Sequence, residues 1–185
     1  MSHPNDDVKR LTFDEIIEVV LKHEGGYVDD PADRGGATNW GVTQKVYEDF
    51  VGYKCDKDEI KDMHVEVAKE IYFEKFWKPS RAEQLPAEIR ETYFDMVVNH
   101  GQGGAVKILQ QACNNKRKPE NYIDVDGGIG PNTIKAASNL KDWELMVERS
   151  GYYWNLVFDG ARYTKRTNQV KFIRGWIRRC FNMNV

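Results

Sequence analysis

A mainly α-helical fold is predicted by three observations. Apolar residues recur at helical spacing, Pro and Gly sit where helices start and stop, and strand-like composition is confined to one short stretch. Thr12-Phe13-Asp14-Glu15 reads as a capping box, after which Phe13, Ile16, Ile17 and Val20 mark one helical face. Gly25-Gly26 should end that helix, because glycine accepts the left-handed conformation of a helix terminus. A second helix is expected over about 65–77, stopped by Pro79. A third should open at Pro86 and run to Asn99-His100, before the break Gly101-Gln102-Gly103-Gly104. Ala105 to Cys113 restarts a helix, Asp124 to Pro131 is turn-rich, and Pro131 opens a short helix. Trp143 to Phe158 and Asn168 to Phe181 complete the chain. One small β-hairpin is expected near residues 35–45, where Gly and Thr concentrate.

The length of 185 residues accommodates one domain or two small lobes. With 41% hydrophobic residues there is material for a core, which excludes a wholly disordered chain. Twenty-seven basic and 29 acidic side chains leave a net charge of −2, so bulk charge gives no sign of a nucleic-acid partner. That charge is unevenly spread. After Asp159 there are seven bases and no acid, leaving 20 bases against 29 acids, or −9, before it. No apolar run approaches the length of a membrane-spanning helix, and Met1 to Asp7 lacks the basic and then apolar profile of a signal peptide. Synthesis in the cytoplasm is therefore expected. Cys55, Cys113 and Cys180 are odd in number and widely spaced, which fits reduced thiols rather than a disulfide framework or a zinc site.

Glu24 lies 11 residues after Phe13, which at 100° per residue is three turns plus 20°. It should therefore point with Phe13, Ile17 and Val20 towards apolar packing, within the last helical turn where free carbonyls make the potential negative. Both effects disfavour the ionised form, and a carboxyl kept protonated is what a general acid requires. Asp33 follows nine residues later in a loop rich in Pro and Gly. Two carboxylates in unlike environments are the minimal apparatus of glycoside hydrolysis. Thr38, Asn39 and Thr43 are short polar groups able to fix a water molecule, and the sequence does not choose among them. Asp29 and Asp30 compete with Asp33 for the role of second carboxylate.

The string from Glu24 to Thr43, EGGYVDDPADRGGATNWGVT, closely resembles the opening motif of glycoside hydrolase family 108, the phage endolysins and secretion-associated muramidases that cut peptidoglycan. Phe73 to Pro79 is similar to the family's aromatic-Trp-x-Pro segment, and Phe94 to Gly101 to its Phe-Asp-x-x-Val-Asn-x-Gly segment. The stretches Gly103 to Asn114, Val125 to Thr133 and Phe172 to Trp176 are similar to the peptidoglycan-binding-like region that follows in this family. The resemblance implies a lysozyme-like helical fold, a catalytic lobe over 1–100 and a peptidoglycan-binding-like lobe over 101–185. It further implies an N-acetylmuramidase in which Glu24 is the catalytic acid. A weaker resemblance to phage-type lysozymes, which use Glu-x8-Asp-x5-Thr, supports Asp33 as the second carboxylate. There the matching Thr place holds Asn39, while Thr38 comes one residue early. A lytic transglycosylase and a non-catalytic cell-wall-binding protein are the alternatives.

Trp77 and Asn99 are candidate sugar contacts, since an indole stacks on a pyranose and an amide pairs with an N-acetyl group. Tyr27 is placed to line a cleft beside the double glycine. Asp124 and Asp126 lack the further ligands of a calcium loop, and His3, His23, His64 and His100 lack metal spacing, so neither metal nor cofactor is expected. The last helix puts Phe172, Ile173, Trp176, Ile177 and Cys180 on one face, with Lys171, Arg174, Arg178 and Arg179 elsewhere. That basic side is a solvated surface or a weak contact for anionic envelope polymers. The expected partner is peptidoglycan, met by a monomer that leaves the cytoplasm through a holin or a secretion system.

Overall fold

A computed structural model describes residues 12–29, 36–159, 164–165 and 170–181. Contacts gather them into two units, one ending at Ser80 and the other starting at Arg81.

In the first unit, α1 (Phe13–Glu24) carries the expected capping box. The Thr12 N–H donates to the Glu15 carboxylate at 3.0 Å, and the Glu15 N–H donates to the Thr12 hydroxyl at 3.4 Å. Ile16, Ile17, Val20 and Leu21 of α1 are buried, and Gly25, at φ 76°, ends the helix. Val28 then pairs with Thr38 through two 2.8 Å backbone bonds. Next comes the expected hairpin, β1 (Thr38–Asn39) against β2 (Val42–Thr43), in antiparallel register Thr38 to Thr43 and Asn39 to Val42.

Two short helices follow that apolar periodicity does not reveal, α2 (Gln44–Val51) and α3 (Lys57–Lys61). Their starts are fixed locally, by the Thr43 hydroxyl accepting from Val46 N–H and by Asp56 accepting from Glu59 N–H. The next helix, α4 (Val65–Tyr72), does not stop at Pro79. It passes through a π-helical turn at Phe73–Trp77 into α5 (Lys78–Ser80). In that turn Lys78 N–H bonds to Phe73 carbonyl, five residues back, so the ladder has already left α register when Pro79, which has no N–H, arrives.

The second unit begins at Arg81 with φ 54°, uncommon for a residue with a side chain. Its guanidinium donates to Ile129 carbonyl at 3.1 Å and to Gln84 Oε1 at 2.8 Å, which holds the conformation. Pro86 precedes α6 (Ala87–Asn115) as expected. The glycine break inside it is a single non-helical residue, Gly101, at φ 70° and ψ 162°. From the second half of α6, Gln110 and Asn114 reach into the turn-rich segment. Gln110 bonds to Asp126, Gly127, Gly128 and Thr133, and Asn114 pairs with both backbone groups of Ile123. The Asp126 carboxylate is thus engaged in a tight turn, held below the ordinary carboxylate range by Gln110 and then by the Gly128 N–H.

α7 (Pro131–Ala137) and α8 (Asp142–Val157) follow, with α8 ending one residue before an unforeseen hairpin of β3 (Phe158–Asp159) and β4 (Thr164–Lys165). α9 (Val170–Cys180) closes the described chain. Among the described residues no helix is long and apolar enough to cross a membrane.

The polar centre of this unit is Asp95 on α6. Its carboxylate accepts from Arg149 Nη2 of α8 at 2.6 Å and from Arg179 Nη2 of α9 at 2.7 Å, with the Arg149 side chain only 2% exposed. Burial alone would raise the Asp95 pKa, but the Arg179 hydrogen bond and the Arg149 charge prevail and hold it below the usual carboxylate range. Arg179, read from sequence as part of a basic outer side, is committed to this pairing. His100 packs tilted against Tyr152 and edge-on against Tyr153, with ring centres at 5.0 and 5.1 Å, and burial, followed by the Arg149 charge, lowers its pKa to about 4.

Asp95→Asn should destabilise the protein by about 3–5 kcal/mol in urea unfolding, because it strands the buried Arg149 charge. For His100, the folded pKa lies below its unfolded value, so the unfolded chain binds the extra proton between pH 6.5 and about 4. Stability should therefore fall as pH drops through that window. His100→Phe should flatten the slope, with a difference on the order of 2 kcal/mol across it after solvent screening.

Candidate functional site

Residues 40 and 41 form the two-residue loop of the β1–β2 hairpin, with φ 53° at Trp40 and φ 75° at Gly41. Two successive positive φ values are the signature of a type I′ turn, whose twist matches the flanking strands. Gly is at home there and Trp is not, so Trp40 needs holding. Its indole N–H donates to Met63 carbonyl at 3.0 Å, and its own carbonyl accepts from the Tyr72 hydroxyl at 3.1 Å.

The turn presents Gly41 to the end of α1. A Cβ at position 41 would lie 2.9 Å from Glu24 Cβ and 3.0 Å from Glu24 Cγ, and would overlap the Tyr72 hydroxyl. Glu24, the Gly41 backbone and the Tyr72 hydroxyl are therefore packed against one another. Glu24 is half-buried, while Gly25, Gly26, Tyr27, Val28 and Asp29 after it are exposed. Its stem is held by the hairpin where the surface begins.

The other expected site residues fall into distinct environments. Tyr27 is 36% exposed, next to the Val28–Thr38 bridge. Asp29 is taken up by Lys57, whose Nζ lies 2.9 Å from both carboxylate oxygens. Asp30 and Asp33 lie outside the described residues. Thr38 and Thr43 are cross-strand partners, both half-buried, but the Thr43 hydroxyl caps α2.

Two of the expected site residues are corrected by burial. Asn39 is 5% exposed and spends both amide hydrogens on the carbonyls of Ile60 and Lys61, so it fastens the hairpin to α3. Trp77 is 2% exposed with its ring 5.3 Å from that of Phe13, which makes it core. Asn99 belongs to the second unit. It is exposed, and its amide donates to Asp95 carbonyl one turn back at 2.6 Å.

Sequence reasoning missed Tyr72 altogether, and it read Trp40-Gly41 only as part of a motif. The one signal for Tyr72 was its place on the buried face of α4, which does not distinguish it from any core aromatic. Among the described residues no group of three or more His, Cys, Asp or Glu is arranged to hold a metal ion.

Comparison with known proteins adds an independent line. The profile of the family Glycosyl hydrolase 108 matches residues 17–101, and that of the family "Predicted Peptidoglycan domain" matches residues 104–181. No curated protein matches the chain. Eleven chains of solved structures do, among them SagA of Brucella abortus. It is 29% identical, with 92% of this chain and 94% of that chain covered and a TM-score of 0.66. The two family segments meet next to Gly101, whereas the compact units part at Ser80/Arg81, because α6 continues through that glycine. Residues 17–101, with Glu24 and the hairpin that holds it, thus form a glycoside hydrolase family 108 segment, and residues 104–181 form a segment of a peptidoglycan domain family.

Proposed function

We propose that this peptidoglycan hydrolase is an N-acetylmuramidase that cleaves the β-1,4 bond between N-acetylmuramic acid and N-acetylglucosamine. Glu24 donates a proton to the glycosidic oxygen as the bond breaks. Asp33 activates the water that attacks the anomeric carbon, and the negative charge it carries stabilises the oxocarbenium-like transition state. Thr38 orients that water. The observation that carries the reading is the packing of Glu24 against Gly41. A half-buried Glu24 whose stem is held by the hairpin beside an exposed segment supports this role, because a carboxyl on a restrained stem loses less conformational freedom when it engages a glycan oxygen. Thr38 is favoured over its two rivals because Asn39 and Thr43 already spend their side chains on structure. By analogy with phage-type lysozymes the anomeric configuration inverts.

Glu24→Gln keeps the shape of the side chain and removes the acidic proton. Release of reducing ends from purified peptidoglycan should fall by about 10²–10⁴-fold with an unchanged melting temperature. Equal rates for both proteins would remove Glu24 from the mechanism, and 1,6-anhydromuramoyl products from the wild type would identify a lytic transglycosylase instead. Gly41→Ala should lower both stability, by about 1–3 kcal/mol, and activity, by roughly tenfold, since the new methyl meets Glu24 and Tyr72 at a left-handed φ. Gly26→Ala is the control: nothing lies within 4 Å of its added Cβ, and its activity should stay within about twofold of wild type.

A further inference from the structure

The second unit contains a cavity of about 520 Å³ where α6 ends, between the chain at 116–121 and the end of α7. That is the size of a small-molecule site and far more than a lone ion needs. Its charged lining is one-signed: Lys116, Arg117 and Lys118 contribute cations and no carboxylate lines the wall. Asn121 and Asn139 add neutral polar groups, Ala136 adds apolar surface, and Cys113 lies buried behind the wall.

The ordinary duty of cations at such a place is to offset the carbonyls of a helix C-terminus. Lys116 is used up otherwise, with its ammonium 2.9 Å from both the carbonyl of Asn139, in the turn after α7, and the Glu144 carboxylate. Arg117 differs. One guanidinium nitrogen donates to Asn121 carbonyl at 3.3 Å, which orients the group while leaving most of its five N–H donors unspent. Lys118 is exposed, and its ammonium makes no hydrogen bond or ion pair among the described residues. The thiol of Cys113 does not neutralise them, since burial pushes its pKa up to about 11. Two cations thus remain beyond what the helix end employs, one of them held in the fork geometry that matches a carboxylate.

We propose that this cavity binds a carboxylate of the peptidoglycan peptide stems, with Arg117 and Lys118 clamping the anion and the methyl of Ala136 receiving the small side chain beside it. The proposal rests on peptidoglycan as the substrate and gives the second unit a ligand that the glycan-cleaving chemistry does not involve. The wall's other anion, the phosphodiester of teichoic-acid-type polymers, would be attracted by the same charges but offers no small apolar side chain to that surface.

The test is sedimentation of the full chain with purified sacculi, in a Glu24→Gln background so that hydrolysis does not remove the ligand. Arg117→Gln/Lys118→Gln should bind teichoic-acid-free sacculi about tenfold or more weakly, the loss expected for two charge-assisted contacts. On glycan stripped of its stems by an amidase, the protein with and without these changes should bind alike. Lys118→Glu, which alters only an exposed side chain, should reproduce the loss if the double variant misfolds. Unchanged binding to intact sacculi would overturn the proposal. So would an equal loss on stripped glycan, or binding that requires phosphodiester-bearing walls. Failure of the muramidase reading is seen separately, as a wild-type chain that sediments with sacculi but releases no reducing ends.

Discussion

The geometry around Glu24 depends on a close approach that only a residue without a side chain allows. α1 delivers the carboxyl to the end of its apolar face, but a helix terminus alone would leave it to rotate in water. The β1–β2 turn closes over it because Gly41 has no Cβ, which lets the backbone come within van der Waals contact of the glutamate stem. The cost is displaced one residue back, to Trp40, which must hold a left-handed conformation. Two hydrogen bonds meet that cost, one from the Trp40 indole to Met63 and one from Tyr72 to the Trp40 carbonyl. Strain, its compensation and the candidate acid thus form one assembly drawn from α1, the hairpin and α4.

A different logic organises the second unit. Asp95 accepts from arginines on α8 and α9, so one carboxylate on α6 fixes both helices. Buried ion pairs of this kind contribute little net stability against an apolar replacement, but they are intolerant of losing a member. Their value here is registry: the guanidinium forks accept one rotation of each helix and penalise others. The aromatic cluster of His100, Tyr152, Tyr153 and Trp176 meets these charges at Arg149, whose guanidinium lies over the Tyr153 ring at 5.7 Å.

What could be read from the sequence was what local chemistry decides. The Thr12 cap, the Gly25 stop, the hairpin near Thr38, the start after Pro86 and the break at Gly101 all follow from the conformational preferences of a few adjacent residues. Three misreadings share one cause, a partner distant in sequence. Trp77 looked like a sugar platform because Phe13, which covers it, is in another helix. Asn39 looked like a ligand contact because the carbonyls it serves, Ile60 and Lys61, lie more than twenty residues on. Arg179 looked like surface charge because Asp95 is 84 residues away. Pro79 was misjudged for another reason: a proline stops an α-helical ladder, and the π-helical turn before it had already changed the ladder.

The three cysteines carry a consequence for the conditions this protein can endure. Cys113 and Cys180 are buried, and burial pushes both thiols up to about 11. Cys55, half-buried, is also raised above its ordinary value. The thiolate is the species that attacks disulfides and oxidants, so all three are kinetically muted near neutrality. A fold whose cysteines are all unpaired owes none of its packing to a disulfide, so a change from oxidising to reducing surroundings removes no crosslink from it.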